Sequence, residues 1–315
     1  MLIDDRVMTR QERISFMLRS LYSKYGYERY RMSKFEEYDL YSRNKDFLFS
    51  EGVITFTDTT GRLMALKPDV TLSIIKNRKD TPGMLQKLYY HENVYRVSAA
   101  ADGFREQTQV GLECMGEVDD GCIAEVLRLA AESLRLCSAD FVLEISHLGI
   151  LNAFVDANAP EEKGTQAILD CAGQKNLHGI SGICRENRLA EGAENALIRL
   201  LSLYGTPRTV MPKIRELAEE YGAGEMAAQL GRAVAGFTGS DLEDRIQIDF
   251  SATGDLKYYN GVDFKGFISG IPGSVLSGGQ YDKLMRKMGR KDRAIGFAVF
   301  LDMLERLTEE GTIRA

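Results

Sequence analysis

Apolar residues at helical spacing define the first element of the chain. One face of a predicted helix over about Thr9–Tyr25 carries Ile14, Met17, Leu18, Leu21, Tyr22 and Tyr25, at steps of three and four residues. Thr9 followed by Glu12 has the pattern of a capping box, and Gly26 provides the stop. The pattern therefore predicts an amphipathic helix with one buried face.

Alternating and continuous apolar runs predict strands in much of the remaining chain. Val53–Thr57 and Leu63–Lys67 flank the turn sequence Asp58–Arg62 and are predicted to form a β-hairpin. The other predicted strands are Lys87–Val97, Thr108–Gly116, Phe141–Ser146, Arg245–Phe250, Val262–Ile268 and Ala294–Phe300. The segment Ser98–Gly103 joins the first two of these as a longer loop, which indicates a second antiparallel pair.

Helical patterns separate these strands and fill the middle of the chain. Helices are predicted over about Cys122–Leu136, Tyr281–Met288 and Leu301–Glu310, and several short ones over Leu148–Asp241. This order indicates an α+β protein. Its core is predicted to comprise residues 1–154 and 242–315, interrupted by a helical insertion of residues 155–241.

Composition and charge narrow the class of protein. The chain has 315 residues, 44% hydrophobic and 27% charged, which excludes a wholly disordered chain. Lys plus Arg number 40 and Asp plus Glu number 46, and the net charge of −6 weighs against a nucleic-acid binder. Because no run of about 18 apolar residues occurs and Met1–Arg6 lacks the order of a signal peptide, we expect a cytoplasmic protein without a membrane span.

Cysteine and histidine spacing gives no metal or cofactor motif. The five cysteines contain no C-x-x-C pair, and the three histidines, His91, His147 and His178, lie far apart. Gly222–Ala227 matches G-x-G-x-x-A, but it follows a predicted helix, Ile214–Tyr221, where a dinucleotide site needs a strand. We therefore expect neither metal nor cofactor, although a nucleophilic triad assembled in space stays open.

Four segments carry a more specific pattern. They are Thr55–Arg62 with Leu66–Thr71, Tyr95–Arg96 with Arg105–Glu113, Leu256–Phe264, and Gly278–Leu284 with Ile295–Ala298. In this order they resemble the catalytic core of histidyl-tRNA synthetase, a class II aminoacyl-tRNA synthetase, over most of the chain outside residues 155–241. The resemblance implies the class II synthetase-like antiparallel sheet flanked by helices, with a helical insertion.

The resemblance also implies a site for histidine. The matching positions are Asp69, Thr71, Gln109, Glu113, Tyr258 and Tyr259. In the family the acid, hydroxyl, amide and second acid surround the ammonium and imidazole, and the tyrosines can pack against the ring. The segment Tyr95–Arg96 with Arg105–Glu113 resembles motif 2 of the family, and Arg96 matches its arginine. Arg96 is therefore a candidate to bind the histidine carboxylate or a phosphate-like anion. Taken by itself, the Tyr-Tyr pair would be more typical of core or strand packing.

Departures from the synthetase pattern concern mainly the phosphate side of the reaction. Gly254, Gln280 and Met303 stand at arginine positions of the family, and Ser98 replaces an acid of motif 2. The motif 1 proline is also missing from Ser33–Glu36. Because ATP activation needs cations on the phosphates, these changes indicate that no synthetase-type catalysis takes place.

A second resemblance accounts for a site that keeps the amino-acid-binding positions but has lost the phosphate-binding ones. Lys67–Leu72 looks like the R-P-D-M-T pattern of the regulatory subunits of ATP phosphoribosyltransferase, which resemble the synthetase core without its anticodon-binding domain. Because only Thr308–Ala315 follow the last resembling region, we expect no such domain here. The resemblance implies a non-catalytic subunit that activates the short-form catalytic subunit in the first step of histidine biosynthesis and senses histidine. It also implies a homodimer of the core within a hetero-oligomer, with neither tRNA nor a membrane as partner.

Two other interpretations stay open from the residues. The chain could be an ATP-dependent enzyme that activates an amino acid without tRNA, or a histidyl-tRNA synthetase paralogue acting without tRNA, with Arg96 as its support. It could also be a diverged paralogue that holds another protein and senses nothing. The residues Val70, Asn260 and Gln280 leave the identity of the ligand open.

Overall fold

In the described part of a computed structural model, nine strands form one large sheet. The structure describes residues 7–48, 52–78, 83–98, 103–158, 162–174, 176–186, 192–250 and 258–306. The strands are β1 Glu28–Arg29, β2 Phe35–Glu37, β3 Thr55–Thr57, β4 Leu63–Leu66, β5 Gln86–Ser98, β6 Gly103–Gly116, β7 Phe141–His147, β8 Tyr204–Gly205, β9 Ile246–Asp249, β10 Val262–Ile268, β11 Leu276–Gln280 and β12 Arg293–Phe300. The sheet order is β1-β5-β6-β12-β11-β10-β7-β9-β8, and β2, β4 and β3 form a separate small sheet.

In the middle of the sheet, the neighbouring strands β5, β6, β12, β11, β10 and β7 pair antiparallel, as predicted. Only the pairs β1–β5 and β7–β9 of the described sheet are parallel. The hairpin of β3 and β4 and the long pair of β5 and β6 confirm the two predicted antiparallel pairs. The predicted antiparallel sheet is thus present in the arrangement of the central strands.

Helices surround the sheet at the positions that the periodicity indicates. They are α1 Arg10–Lys24, α2 Tyr38–Ser42, α3 Thr71–Asn77, α4 Asp120–Cys137, α5 Leu148–Asn158, α6 Glu162–Gly173, α7 Leu177–Glu186, α8 Ala193–Leu201, α9 Pro207–Glu220, α10 Gly224–Val234 and α11 Asp282–Lys287. The predicted capping box is present: Thr9 caps α1, and the Glu12 side chain accepts the Thr9 backbone N–H at 2.8 Å. Gly26, with a φ of 82°, adopts the left-handed conformation that ends the helix.

The sheet has a different apolar layer on each face. On one face α1 and α4 pack in the larger core, where the Tyr22 hydroxyl lies 2.9 Å from that of Ser133. The helices of residues 155–241 belong to this same core, and β8 within that segment pairs with β9. A second apolar cluster, built around Tyr41, Leu72 and Tyr281, covers the opposite face. The division into a core and an insertion stays a prediction.

Two local differences from the predictions have physical reasons. Strand β11 was not predicted because Gly278 and Gly279 are poor strand formers, yet they lie between close-packed neighbours where larger side chains would collide. The predicted helix Leu301–Glu310 is, within the described residues, a 3-10 helix over Leu301–Arg306. Its buried Leu301 and Leu304 are three residues apart, the spacing at which side chains align in a 3-10 helix.

The loop predicted between β5 and β6 lies outside the described residues at positions 99–102. Both strands continue further towards it than predicted, so that Ser98 pairs with Gly103. Among the described helices, none is both long enough and apolar enough to cross a membrane.

Candidate functional site

A cavity lies on the face of the sheet opposite α4, and its floor is made by residues without large side chains. The strand register places Glu113 beside Gly296, Gly296 beside Gly279, and Gly279 beside Asp263. Because residues paired in register project from the same face, two carboxylates flank a pair of glycines. A Cβ atom at Gly296 would collide with the Glu113 carboxylate. The glycines therefore create the space above the sheet.

All seven residues predicted to bind histidine line this one cavity. Asp69 and Thr71 lie at the start of α3, Arg96 on β5, Gln109 and Glu113 on β6, and Tyr258 and Tyr259 just before β10. The cavity volume is about 270 Å³, close to the lower end of the range of about 300–1,000 Å³ typical of ligand pockets. Such a space suits a molecule of amino-acid size.

Glu113 is the most strongly perturbed acid of the site. The Thr71 hydroxyl donates to its Oε1 at 2.7 Å, and the Tyr281 hydroxyl donates to its Oε2 at 2.6 Å. Its side chain is almost completely buried, and burial raises its pKa to about 8 although both hydrogen bonds favour the carboxylate. The group is therefore mostly protonated at neutral pH in the unliganded cavity.

Asp69 and Arg96 form the second charged part of the site. Asp69 accepts the Leu72 backbone N–H at 2.9 Å; burial raises the pKa of Asp69, while this hydrogen bond and the charge of Arg96 act in the opposite direction. Arg96 donates through Nε to the Pro68 carbonyl at 3.3 Å and through Nη1 to Gln107 Oε1 at 3.3 Å. The guanidinium is thus held beside the segment that carries Asp69.

Aromatic side chains form the wall of the cavity. The rings of Tyr258 and Tyr259 meet edge to face with centroids 4.9 Å apart, and Tyr281 lies 5.9 Å from Tyr258. Burial raises the pKa of all three tyrosines, so each keeps its proton and can donate a hydrogen bond. Tyr258 and Tyr259 thus line the cavity, and their contact with a ligand stays a prediction.

Sequence reasoning missed several residues of the cavity. These additional lining residues are Tyr90, Lys265, Ser274, Ser277, Tyr281, Gly296, Phe297, Ala298 and Phe300. Tyr281 lies inside the G-G-x-Y-D segment, which could have indicated it. Lys265 had no such signal, since its position depends on how β10 lies beside β11.

Two of the positions predicted to match family arginines, Gln280 and Met303, have other contacts in this chain. Gln280 Oε1 accepts the Val262 backbone N–H at 2.8 Å and ties β11 to β10. Met303 packs against the larger apolar core. Gly254 lies outside the described residues. Glu36 at the motif 1 position accepts a hydrogen bond from Ser73 Oγ at 2.9 Å and lies 3.0 Å from Lys76 Nζ.

Other polar groups lie away from the cavity. His91 contacts Ser15 at 3.3 Å and His147 contacts Gln229 at 3.0 Å. Within the described ranges, no group of three His, Cys, Asp or Glu residues could hold a metal ion. The G-x-G-x-x-A match also proves unrelated to a nucleotide site, because Gly222 follows the end of α9, as predicted, and has a φ of 67°.

Comparison with known proteins places the chain in a family. The family model described as histidyl-tRNA synthetase matches residues 3–304. A curated relative from Anaeromyxobacter sp. (strain Fw109-5), named ATP phosphoribosyltransferase regulatory subunit, is 30% identical over 96% of this chain and 89% of its own length. A relative of the same name from Oceanobacillus iheyensis is 26% identical over 91% of this chain and 71% of its own length.

Solved structures show the same fold. A structure described as an ATP phosphoribosyltransferase regulatory subunit/histidyl-tRNA synthetase from Bacillus halodurans C has a TM-score of 0.82 at 24% identity, covering 93% of this chain and 78% of that chain. A chain of the ATP phosphoribosyl transferase (HisG:HisZ) complex from Thermotoga maritima has a TM-score of 0.71 at 18% identity, covering 95% and 97%. These likenesses confirm the predicted class II synthetase-like fold. The chain therefore belongs to the histidyl-tRNA synthetase family and, within it, to the ATP phosphoribosyltransferase regulatory subunits.

Proposed function

We propose that the chain activates a short-form ATP phosphoribosyltransferase catalytic subunit, without catalysing the reaction itself, and that it senses histidine in the cavity. The names of its relatives support the regulatory role. The name of the Thermotoga maritima structure, a complex, supports a partner subunit for this chain also. The hetero-oligomer around a homodimer of this core is part of the same proposal.

One observation supports the sensing part: the residues that the resemblance predicts to bind the amino acid all line one cavity. Asp69, Glu113 and Gln109 supply oxygens for an ammonium group, and the tyrosine wall supplies an apolar surface for an imidazole. Charge-assisted hydrogen bonds of this kind contribute about 1.5–3 kcal/mol each. The arrangement is therefore suited to a small ligand that carries an ammonium group and a ring, such as histidine.

The small number of cations in the cavity supports a regulatory function rather than ATP-dependent activation of an amino acid. Among the described lining residues, Arg96 and Lys265 are the cations, and Arg96 is held by Pro68 and Gln107. Activation of an amino acid by ATP redistributes charge on the phosphates and requires cations placed on them. Histidine-dependent pyrophosphate exchange by the purified chain would contradict the proposal and favour the enzyme alternative.

Histidine would act by linkage. A ligand that binds one quaternary arrangement more tightly than another shifts the population by its differential affinity. With the ligand buried between α3, β5, β6 and the segment before β10, any movement of these elements changes its contacts. Binding in the cavity and the arrangement of the catalytic partner are thereby coupled.

Co-purification with the cognate short-form catalytic subunit tests the regulatory role. We expect a stable complex, higher phosphoribosyltransferase activity than the catalytic subunit shows by itself, and inhibition of the complex by histidine but not by an equal concentration of phenylalanine. A catalytic subunit that gains no activity in the complex would contradict activation. Activation that histidine does not reverse, together with no calorimetric binding of histidine, would contradict sensing only.

Histidine affinity is expected to rise with pH between about 6.5 and 8.5. Because the pKa of Glu113 is about 8, Glu113 must release its proton when a cationic group binds beside it. The dissociation constant should fall by up to about tenfold per pH unit below that pKa, and above about pH 6.5 the free imidazole is mostly neutral. Titration calorimetry in two buffers of different ionisation enthalpy measures the released proton. An affinity that does not change with pH, with no proton release, would contradict this role of Glu113.

A further inference from the structure

Lys265 adds a second cation, besides Arg96, to the described lining of the cavity. It lies on β10 and is paired in register with Ser277 of β11 on one side and Glu144 of β7 on the other. Ser274, in the turn before β11, also lines the cavity. An ammonium group and two hydroxyls thus lie at one end of the site, with Glu144 next to the lysine on the neighbouring strand.

The strand order sets the distance between the two ends. Glu113 on β6 and Lys265 on β10 are separated by β12 and β11. Three steps between neighbouring strands, each about 4.8 Å, separate their backbones by roughly 14 Å. The floor between them consists of Gly296, Ala298 and Ser277, so the inward reach of the two long side chains leaves a gap suited to one small molecule.

Arg96, the other cation, lies at the acidic end. It donates to the Pro68 carbonyl and to Gln107, and its charge acts on Asp69. A carboxylate bound there would lie close to two buried acids, Asp69 and Glu113, and like charges at short distance in a buried site repel strongly. The end at Lys265 has one neighbouring acid, Glu144 on β7, against two acids at the other end. It also has hydroxyl donors, so it offers the better position for an anion.

We propose that Lys265, with the hydroxyls of Ser274 and Ser277, holds the carboxylate of the ligand, so that the cavity selects an α-amino acid in its zwitterionic form. This inference rests on the proposed function, because it assigns the orientation of histidine in the same cavity. The ammonium and imidazole lie toward Asp69, Gln109 and Glu113, and the carboxylate lies toward β10. Arg96 is then a positioning residue for Asp69.

A ligand-by-variant cycle tests this orientation. Histidine and histidinol, which has a hydroxymethyl group in place of the carboxylate, are titrated into the chain with its catalytic partner, for the unmodified protein and for Lys265→Met. We expect the substitution to weaken the binding of histidine by about 10- to 100-fold and the binding of histidinol by less than about threefold. Lys265→Arg should keep the preference for histidine. Lys283→Met is the matched control, since Lys283 is exposed on α11 and outside the cavity.

The outcomes separate this inference from the proposed function. If the unmodified complex binds histidine but Lys265→Met weakens both ligands equally or neither, the inference is wrong and histidine sensing stands. If Arg96→Met removes the preference for histidine while Lys265→Met does not, the carboxylate is at the acidic end and the inference is again wrong. If the unmodified complex binds neither ligand, sensing fails and the inference fails with it.

Discussion

Replacement of Glu113 by glutamine is expected to weaken histidine binding by about 100-fold or more and, at the same time, to stabilise the unliganded protein. Removal of one partner of a buried charge pair costs about 3–5 kcal/mol, because the other charge loses its compensation. A glutamine would keep the shape of the side chain and could still bond to the Thr71 and Tyr281 hydroxyls, which lie 2.7 Å and 2.6 Å from the Glu113 carboxylate. The loss should therefore come from the missing negative charge.

The stability part of this prediction follows from the raised pKa of Glu113. The pKa is about 8 in the folded protein against 4.5 as the reference value, so the folded state holds the proton more tightly. The stability linked to this group is fully present below about pH 4.5 and is lost as the pH rises through about 8. At pH 7 the loss amounts to about 3 kcal/mol, since one pKa unit corresponds to about 1.4 kcal/mol. A glutamine does not titrate and avoids this loss.

Thermal unfolding of both proteins between pH 5 and pH 9, without ligand, measures the effect. We expect the two melting temperatures to diverge as the pH rises, with Glu113→Gln the more stable protein on the alkaline side. Glu117→Gln is the control, because it makes the same substitution on an exposed side chain just after β6. A variant that binds histidine as tightly as the unmodified chain, or whose stability falls with pH in parallel with it, would contradict the prediction.

Gly296→Ala is expected to close the cavity and to destabilise the protein. A Cβ atom at this position would lie 2.5 Å from the Leu112 carbonyl and would overlap the Glu113 carboxylate. Neither can move freely, since Leu112 belongs to the central strand β6 and Glu113 is held by two hydroxyls. Overpacking of a dense core typically costs about 1–3 kcal/mol. We expect a lower melting temperature together with a loss of histidine affinity of about 100-fold or more.

A matched glycine substitution distinguishes this steric effect from a general effect of alanine. Gly182 lies inside α7, and an added Cβ atom there would meet no other atom within 4 Å. Gly182→Ala should stabilise the protein by about 0.5–1 kcal/mol, because a helical glycine loses more backbone entropy than alanine. Histidine affinity should not change. Equal effects of the two substitutions on affinity would show that the floor of the cavity does not depend on Gly296.

Local patterns were sufficient for most elements of the fold. The periodicity of α1, the alternation in the hairpin of β3 and β4, and the apolar run of β10 are each set by residues adjacent in the sequence. Strand β11 was missed because its glycines are required by close packing against neighbouring strands. Sequence periodicity contains no information about such contacts. The resemblance likewise indicated seven site residues from separate segments, and one cavity contains them all.

The sequence by itself determined the elements of this protein, its family resemblance and the identity of the acids, amide and tyrosines of the site. Only the tertiary structure decided that Glu113, Gly296 and Gly279 lie in one row, that burial raises the pKa of Glu113, and that Lys265 lines the same cavity as the acids. The physical reason is that pairing register and burial depend on residues distant in the chain. The side chain of Lys265 lines the cavity because β10 pairs with β11 in one register, and a shift by a single residue would turn it to the other face.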